Sequence, residues 1–279
     1  MKRIHELTRI VPAAIEKTGK RIANEIRTGA RHLFLLSPPL SGSTAITQLI
    51  NTSPNVSVFP GKGEGQHLPE ARNILFGDER WNPDLPIDWV KVRKIFFQYW
   101  SPFKSIRFEK SPPNIVRAIE LERVFKNPLF LITLRNPYAQ IEGLLRRQWH
   151  FNKYGPQSSP SSPLTPKVAA EFWIKIAKFQ LYNSEHLGNT CFFTYEELAE
   201  KPDDTIRRIT DFLPDLGALD SESKFTAHNI TGKPIKGFKN LNQQKIENLT
   251  KQQVEEINLV LGRHEDLLAN FQYQLLPGG

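Results

Sequence analysis

One short stretch constrains the fold of this chain more than any other, because it joins an apolar strand directly to a helix. It runs from Leu33 to Ile50 and reads LFLLSPPLSGSTAITQLI. Four apolar residues ending at Leu36 predict a short buried parallel strand, and the loop that follows breaks regular structure. From Ser43 onward, apolar residues recur at helical spacing. The stretch therefore predicts a strand, a tight loop and a helix.

The loop of this unit has the features of an anion-binding site. Between Pro39 and Thr44 it reads PLSGST, and its backbone N–H groups lie at the positive end of the helix dipole. Gly42 lets the main chain approach an anion closely, and the Ser43 and Thr44 hydroxyls add donors. An ordinary turn capped by Ser41 or Ser43 is the alternative. The loop is not a Walker A sequence, which needs a Lys directly after this glycine.

Length and composition favour one large α/β domain. The 279 residues, 39% of them hydrophobic, are enough for a single large core. The chain has no run of about 20 apolar residues, and its basic N-terminus lacks the apolar run of a secretory signal. A single cysteine, Cys191, excludes an internal disulfide and favours a reducing, cytoplasmic compartment, with a role as core filler. The formal charge of +8 favours anionic ligands or surfaces.

Residues 1–30 predict a basic amphipathic helical arm, and residues 31–279 the α/β domain. Apolar residues from Ile4 to Ile26 form a stripe, interrupted near Pro12 and Gly19, and Lys and Arg residues occupy the other face. The simpler interpretation is a helix packed on the domain with a solvated basic face. The alternative is a contact with a membrane surface or a partner protein.

A glycine-rich loop follows the predicted second strand, Val56 to Phe59. It spans Pro60 to His67 and holds three glycines around Glu64, which indicates either a mobile or a tightly folded loop. In a doubly wound sheet, a loop after a strand end lies near the ligand crevice. Glu64 and His67 are therefore candidate acid–base groups, with an exposed loop charge as the alternative for Glu64.

Three further strands follow, and two of them end at a candidate ligand group. The alternating segment SIRFEK predicts a strand that ends at Lys110. The apolar segment Pro128 to Leu134 predicts a central parallel strand, and Arg135 after it can hold a phosphate bidentately. Thr190 to Tyr195 predicts another strand. Lys110 could equally be a surface charge, and Arg135 could form a salt bridge that fixes the turn.

Three other segments have a biased composition. Residues 152–166 are rich in Ser and Pro and predict a mobile loop. A Gly- and Lys-rich loop from Thr231 to Asn242, with Lys233, Lys236 and Lys239, could close over an anion or form a solvated basic turn. Trp81 to Trp100 carries aromatic residues, which predict either core or the wall of an acceptor pocket.

The order of these motifs resembles the sulfotransferases that use 3′-phosphoadenosine-5′-phosphosulfate (PAPS). In that family a loop close to P-[KR]-S-G-[ST]-[ST] wraps the 5′-phosphosulfate, and Pro39 to Thr44 is similar to it. A later strand ends in an Arg-x-Pro unit that takes the 3′-phosphate, matched by Arg135 to Pro137. Tyr195 to Leu198 matches a Tyr-Glu-x-Leu unit. Gly63-Glu64 resembles the base-bearing loop of the tyrosylprotein branch, and Glu109 to Pro112 resembles a Lys-bearing segment.

This resemblance implies a three-layer α/β fold with a central parallel sheet, similar to P-loop nucleotide-binding folds. It implies in-line transfer of a sulfuryl group from PAPS to a hydroxyl or amine of an unknown acceptor, without a metal and without nucleic acid as a partner. Glu64 would be the base, with His67 as second choice, and Lys110 would stabilise the leaving phosphate. The residues implied to bind the nucleotide are Pro39, Leu40, Ser41, Gly42, Ser43, Thr44, Arg135, Gly143, Tyr195, Lys233 and Lys236.

Two positions depart from the family pattern. Leu40 stands where the family usually has Lys or Arg, and Gly143 stands where a Ser usually binds the 3′-phosphate. Each departure removes one polar contact with the nucleotide. The cations that could replace these contacts are Lys110, Lys233, Lys236 and Arg146. Two alternatives therefore stay open: a nucleotide-binding protein without catalysis, and a P-loop kinase, which the missing Walker Lys disfavours.

Overall fold

A parallel β-sheet of five strands forms the centre of the fold, in a computed structural model that describes residues 2–147, 164–226 and 234–277. The strands lie in the order β2-β3-β1-β4-β5, and each neighbouring pair is parallel. Their bounds are Arg31–Leu36 for β1, Val56–Val58 for β2, Ile106–Glu109 for β3, Pro128–Leu134 for β4 and Thr190–Thr194 for β5. The predicted bounds of these strands agree closely with the structure, and those of β4 are identical.

Helices and a short β-ribbon surround this sheet. The helices are α1 Lys2–Ile26, α2 Ser43–Ile50, α3 Pro69–Leu75, α4 Trp89–Tyr99, α5 Ala118–Val124, α6 Pro137–Arg146, α7 Pro166–His186, α8 Tyr195–Glu200, α9 Pro202–Phe212, α10 Asn242–Ile246, α11 Lys251–Leu261 and α12 Glu265–Asn270. Strands β6 Lys224–Thr226 and β7 Pro234–Lys236 form a separate antiparallel pair. Most of the predicted Ser/Pro loop at 152–166 lies outside the described residues.

The sheet separates two apolar cores, one on each face. In β1, Phe34 and Leu36 belong to one core, whereas Leu33 and Leu35 belong to the other. This alternation arises because successive side chains of a strand point to opposite faces. Cys191 is buried in the second core, where it acts as the predicted filler. The burial of both faces confirms the three-layer α/β architecture.

The carboxyl ends of the parallel strands meet at one edge of the sheet. Leu36 at the end of β1 pairs with Ile132 in β4, and Leu134 at the end of β4 pairs with Thr194 in β5. Strand β3, on the other side of β1, ends at Glu109. The segments that follow these strands are therefore neighbours in space, at the edge where parallel α/β sheets bind ligands.

Helix α1 packs on α4, as the simpler interpretation of the N-terminal arm predicts. The buried side chain of Asn24 donates hydrogen bonds to the carbonyls of Phe97 and Trp100, each at 2.9 Å. The helix itself is continuous from Lys2 to Ile26, through Pro12 and Gly19. A glycine inside a helix costs only about 1 kcal/mol relative to alanine, which packing on α4 can offset. The domain boundary at residue 30 stays a prediction.

The aromatic segment from Trp81 to Trp100 belongs to the core. Trp81, Trp89 and Trp100 are all buried, and the Trp100 indole donates a 3.0 Å hydrogen bond to the Phe108 carbonyl in β3. These contacts agree with the predicted core, and a role in an acceptor pocket stays a prediction. Separately, no helix within the described ranges combines the length and the apolar character needed to cross a bilayer.

Candidate functional site

The loop between β1 and α2 contains two residues with left-handed backbone conformations. Leu40 has a φ of 65° and Gly42 a φ of 85°. A conformation of this kind costs a non-glycine residue about 1–3 kcal/mol and is common in loops that bind ligands. The Leu40 carbonyl accepts a hydrogen bond from Arg135 Nη1 at 2.8 Å. Arg135 therefore helps to hold the strained turn.

Gly42 is required by both its conformation and the space around it. A Cβ atom at this position would lie 2.9 Å from Cδ2 of Tyr195, so a side chain there would collide with the tyrosine ring. Gly42 is also the N-cap of α2 and provides no side-chain hydrogen bond to the helix. The alternative of a turn capped by Ser41 or Ser43 is therefore wrong.

The Ser41 side chain stabilises the loop and does not line the cavity described below. Its hydroxyl is fully buried, lies 2.9 Å from the Ser37 hydroxyl and donates to the Pro38 carbonyl. Ser37 in turn accepts a hydrogen bond from Thr133 Oγ1 in β4 at 2.9 Å. This buried ladder of hydroxyls fixes the start of the loop to the neighbouring strand.

Arg135 follows β4 and reaches the same loop from the other side. Its Nε donates to Asn242 Oδ1 at 2.9 Å, and its guanidinium carbon lies 4.0 Å from the centre of the Tyr195 ring. Among the described residues Arg135 forms no ion pair, so it fixes the turn through the Leu40 carbonyl and not through the alternative salt bridge. Its buried Nη2 has no hydrogen-bond partner in the described part of the chain.

Glu196 orients the partners of Arg135. Its Oε1 accepts hydrogen bonds from the Asn136 backbone N–H at 2.9 Å and from the Asn242 amide, and its Oε2 accepts one from Tyr273 at 2.9 Å. Burial raises the pKa of Tyr273, and the charge of Glu196 raises it further. The tyrosine therefore stays a donor at neutral pH, and the whole network fixes Arg135.

Glu64, His67 and Lys110 form a second cluster, which the sequence predicts only as separate candidates. Lys110 Nζ lies 2.6 Å from Glu64 Oε1, and His67 Nε2 lies 3.1 Å from Glu64 Oε2. Burial raises the pKa of Glu64, but the hydrogen bond with His67 and the charge of Lys110 outweigh it and bring the pKa to about 2. Glu64 is therefore ionised and paired at neutral pH.

The glycine-rich loop that carries Glu64 is tightly folded, which decides between the two predicted alternatives. Gly63 has a φ of 74°, and a Cβ atom there would lie 2.9 Å from Thr47 Cγ2. A Cβ atom at Gly65 would lie 2.4 Å from the Phe96 ring. The Gly63 carbonyl also accepts a 2.9 Å hydrogen bond from the Lys110 backbone N–H. This bond aligns Glu64 with the lysine that pairs with it.

Glu109 anchors this loop from the end of β3. Its fully buried carboxylate accepts hydrogen bonds from the backbone N–H groups of Gly65, at 3.0 Å, and Ser111, at 3.1 Å. The Ser111 hydroxyl and the Asn114 amide donate to it as well. One carboxylate thus ties together the two segments that carry Glu64 and Lys110.

Glu109→Gln is expected to lower the free energy of unfolding by about 2 kcal/mol, because the new amide would turn a donor toward buried donors. Urea denaturation measures this change. The control is Glu122→Gln, a partly exposed glutamate that accepts a 2.7 Å hydrogen bond from the Gly188 N–H. A Glu109→Gln midpoint equal to that of the control would contradict the anchoring role.

A cavity of about 570 Å³ joins the β1–α2 loop and Arg135 to the Glu64–Lys110 pair. Seven of the predicted nucleotide-binding residues line it, namely Pro39, Leu40, Gly42, Ser43, Thr44, Arg135 and Tyr195, together with the predicted catalytic residues Glu64 and Lys110. Seven cations and two carboxylates contribute to the lining. The cations are Lys62, Lys110, Arg135, Arg146, Arg147, Lys239 and Lys245, and the carboxylates are Glu64 and Glu142. This excess of positive charge suits a ligand with several negative charges.

Some predicted site residues lie elsewhere. Lys236 does not line the cavity, because it is exposed on β7 and pairs with Glu222 at 2.7 Å. Lys239, three residues later, lines the cavity instead, and its carbonyl accepts a 2.8 Å hydrogen bond from the Tyr195 hydroxyl. His67 contacts Glu64 from outside the lining, and Lys233 lies outside the described residues. The described residues contain no group of three or more metal-binding side chains.

The sequence does not predict Asn242, Glu142 and Lys245 as site residues, and the fold brings all three to Arg135 and the Leu40 loop. Glu142 and Lys245 form a buried ion pair with an Nζ–Oε2 distance of 2.7 Å, although 103 residues separate them. Position 142 adjoins the unusual Gly143, and that departure is the one available signal. Lys245 gives no such signal, since its segment reads as an ordinary polar helix.

Comparisons with known proteins agree with this arrangement. A sequence model described as the sulfotransferase family matches residues 32–215. The cytosolic sulfotransferase 12 of Arabidopsis thaliana is 24% identical over 206 residues, an alignment that covers 68% of this chain. The same alignment covers 57% of the plant protein, so the chain spans little more than half the length of that relative.

Two solved structures share the fold. A sulfotransferase from Alicyclobacillus acidocaldarius gives a TM-score of 0.53 at 14% identity and covers 89% of this chain and 98% of its own. The sulfotransferase STF9 from Mycobacterium avium gives a TM-score of 0.52 at 16% identity and covers 95% of this chain and 82% of its own. At such low identity these two likenesses bear on the fold alone.

Proposed function

Because this chain belongs to the sulfotransferase family, we propose that it moves a sulfuryl group from PAPS to a hydroxyl or amine of an acceptor. One observation carries the proposal. A single cationic cavity joins the β1 loop and Arg135, which suit the phosphates, to the Glu64–Lys110 pair, which suits the transfer step. A cytoplasmic location and an acceptor of unknown class are part of the same proposal.

The residues present fit the anionic groups of PAPS. The N-terminus of α2 and the hydroxyls of Ser43 and Thr44 would hold the 5′-phosphosulfate. Arg135 would hold the 3′-phosphate, and its buried Nη2, unpaired among the described residues, supports this assignment. Tyr195, which packs on both Gly42 and the guanidinium, would keep these two parts in fixed relation.

Glu64 and Lys110 would carry the chemistry as a linked pair. PAPS supplies, when bound, the sulfuryl group and a phosphate leaving group. Lys110 would stabilise the charge that develops on that phosphate, and Glu64 would accept the proton of the acceptor. A carboxylate with a pKa of about 2 is a weak base. If the Lys110 ammonium group moves away from Glu64 toward the leaving phosphate, the pKa of Glu64 rises and Glu64 becomes a stronger base.

A nucleotide-binding protein without catalysis is the second candidate. Leu40 favours it, because the strained loop carries an apolar side chain where the resembling enzymes carry a cation. In that case the cavity would bind the nucleotide, but the transition state would lack part of its charge stabilisation. The two candidates differ in product formation and agree on nucleotide binding.

Calorimetric titration tests the shared part of this proposal. The ligands are adenosine 3′,5′-bisphosphate, which is the desulfated nucleotide, adenosine 5′-monophosphate, and ATP with Mg²⁺. We expect tight binding of the bisphosphate and at least about tenfold weaker binding of the monophosphate, because a charge-assisted phosphate contact contributes about 1.5–3 kcal/mol. Binding of ATP with Mg²⁺ in place of the bisphosphate would favour a kinase instead.

A product assay then separates the two candidates. The enzyme is incubated with radiolabelled PAPS and a panel of phenols, alcohols, sugars, amines and tyrosine peptides. A labelled acceptor supports the sulfotransferase. Bisphosphate binding without any labelled acceptor across the panel would favour the nucleotide-binding protein.

A further inference from the structure

The two departures from the family pattern, Leu40 and Gly143, meet a third residue in the structure. A Cβ atom built on Gly143 would lie 3.1 Å from Leu40 Cδ1 and 3.5 Å from Lys245 Nζ. The space beside position 143 is therefore occupied by an apolar side chain from the β1 loop and by a lysine from α10. Both residues also line the cavity.

We propose that Lys245 is the second cation for the 3′-phosphate and takes the place of the hydroxyl that Gly143 lacks. This assignment rests on the proposed function, because it presumes a nucleotide with a 3′-phosphate in this cavity. The ligand class is a nucleoside bisphosphate. Lys245 would set specificity for the 3′-phosphate and would take no part in the transfer step.

Glu142 positions Lys245 for this role. Lys245 Nζ lies 2.7 Å from Glu142 Oε2, and both side chains are at least nine-tenths buried. The other oxygen of Glu142 lies 2.8 Å from Arg146 Nε. Because one carboxylate is shared between two cations, the pair with Lys245 does not neutralise the local charge.

Arg135 adds a further positive charge to the same region. Burial lowers the pKa of Lys245, Glu142 raises it, and the charges of Arg135 and Arg146 lower it again. Arg135 also keeps a buried Nη2 without a partner among the described residues. Two buried cations, Lys245 and Arg135, close to a single carboxylate are costly in the free protein, and a bound anion would relieve that cost. The cluster is therefore arranged for an anionic ligand.

Leu40 and Gly143 are also sterically compatible with Lys245. The Leu40 side chain packs beside position 143, where a cation from the loop would instead repel Lys245. A Ser at 143 would be crowded by Leu40, which lies within 3.1 Å of the added Cβ atom. In this chain, therefore, the apolar Leu40, the small Gly143 and Lys245 fit one another in the same space.

The test compares two nucleotides that differ only in the 3′-phosphate. Affinities for adenosine 3′,5′-bisphosphate and adenosine 5′-monophosphate are measured by calorimetry for the wild type, Lys245→Met and Lys251→Met. Lys251 is an exposed lysine at the start of α11 that does not line the cavity, so its variant controls for net charge. We expect Lys245→Met to reduce the bisphosphate-to-monophosphate affinity ratio at least about tenfold. Lys251→Met should leave the ratio unchanged.

Glu142→Gln gives a second test in the opposite direction. Removing the carboxylate charge leaves Lys245 freer to attract phosphate, so bisphosphate affinity should rise several-fold while monophosphate affinity stays constant. Damage to the fold would lower both affinities. An unchanged affinity ratio in either variant, with a wild type that prefers the bisphosphate, would overturn the role of Lys245 alone. A wild type that does not bind the bisphosphate would overturn the proposed function together with this role.

Discussion

Glu64→Gln is expected to lower turnover by a factor of about 10²–10⁴ without weakening nucleotide binding, because an amide cannot take up the proton of the acceptor. Turnover is measured as transfer of label from PAPS to an acceptor found in the panel. Affinity for adenosine 3′,5′-bisphosphate is measured separately by calorimetry. The variant keeps the shape of the side chain, so the two measurements separate proton transfer from binding.

The matched control for this variant is Glu70→Gln. Glu70 lies in the next helix, is exposed and pairs with Lys17 at 2.7 Å, outside the cavity. Its variant should keep normal turnover and normal nucleotide affinity. Near-normal turnover in Glu64→Gln would exclude Glu64 as the base, and His67, 3.1 Å from it, would be the next residue to replace.

The expected effect of Glu64→Gln on binding also reports on Lys110. The lysine is almost fully buried and has Glu64 as its ion-pair partner among the described residues. With a neutral partner, its charge is available to the nucleotide, so affinity for the bisphosphate should stay constant or rise. A marked loss of affinity would mean that Glu64 acts mainly by positioning Lys110.

Arg135→Ala is expected to weaken binding of adenosine 3′,5′-bisphosphate by about 100-fold, since it removes a buried charge-assisted contact with phosphate. The same change removes the hydrogen bond that holds the Leu40 carbonyl, so affinity for the monophosphate should fall as well, but less. Calorimetry with both nucleotides measures the two effects. Unchanged affinity for the bisphosphate would refute the assignment of Arg135.

Arg117→Ala is the control for loss of a buried arginine. Arg117 is as buried as Arg135, but it donates hydrogen bonds to the carbonyls of Arg80 and Asn82 and does not line the cavity. Both variants should be less stable in urea. Only Arg135→Ala should lose the preference for the bisphosphate over the monophosphate. Equal losses of nucleotide affinity in the two variants would point to general destabilisation.

The sequence predicts the parts of the site that lie next to regular elements. Apolar runs mark β1 and β4, so the pattern of residues alone places Gly42 and Arg135 just after strand ends. Parallel strands then bring these ends to one edge of the sheet. The same pattern places Glu64 and Lys110 near the crevice, and the tertiary structure adds their pairing at 2.6 Å.

Prediction from sequence is weaker where a loop follows no strong periodic pattern. Lys236 is a reasonable candidate in a Gly- and Lys-rich loop, yet the β6–β7 pair directs it to Glu222 and leaves Lys239 at the cavity. Lys236 is the last residue of β7, whereas Lys239 lies in the segment beyond the strand, where its carbonyl accepts a hydrogen bond from Tyr195. The composition of the loop does not show which of its lysines faces the cavity.

The sequence by itself determined the α/β class, the position of the loop between β1 and α2, and the two positions that depart from the family pattern. These follow from local periodicity and local turn chemistry, which involve residues close together in the chain. Only the tertiary structure decided that Asn242 orients Arg135 and that Lys245 lies beside Gly143. Those contacts join residues more than 100 positions apart, and they depend on how α10 packs against α6, which no local pattern specifies.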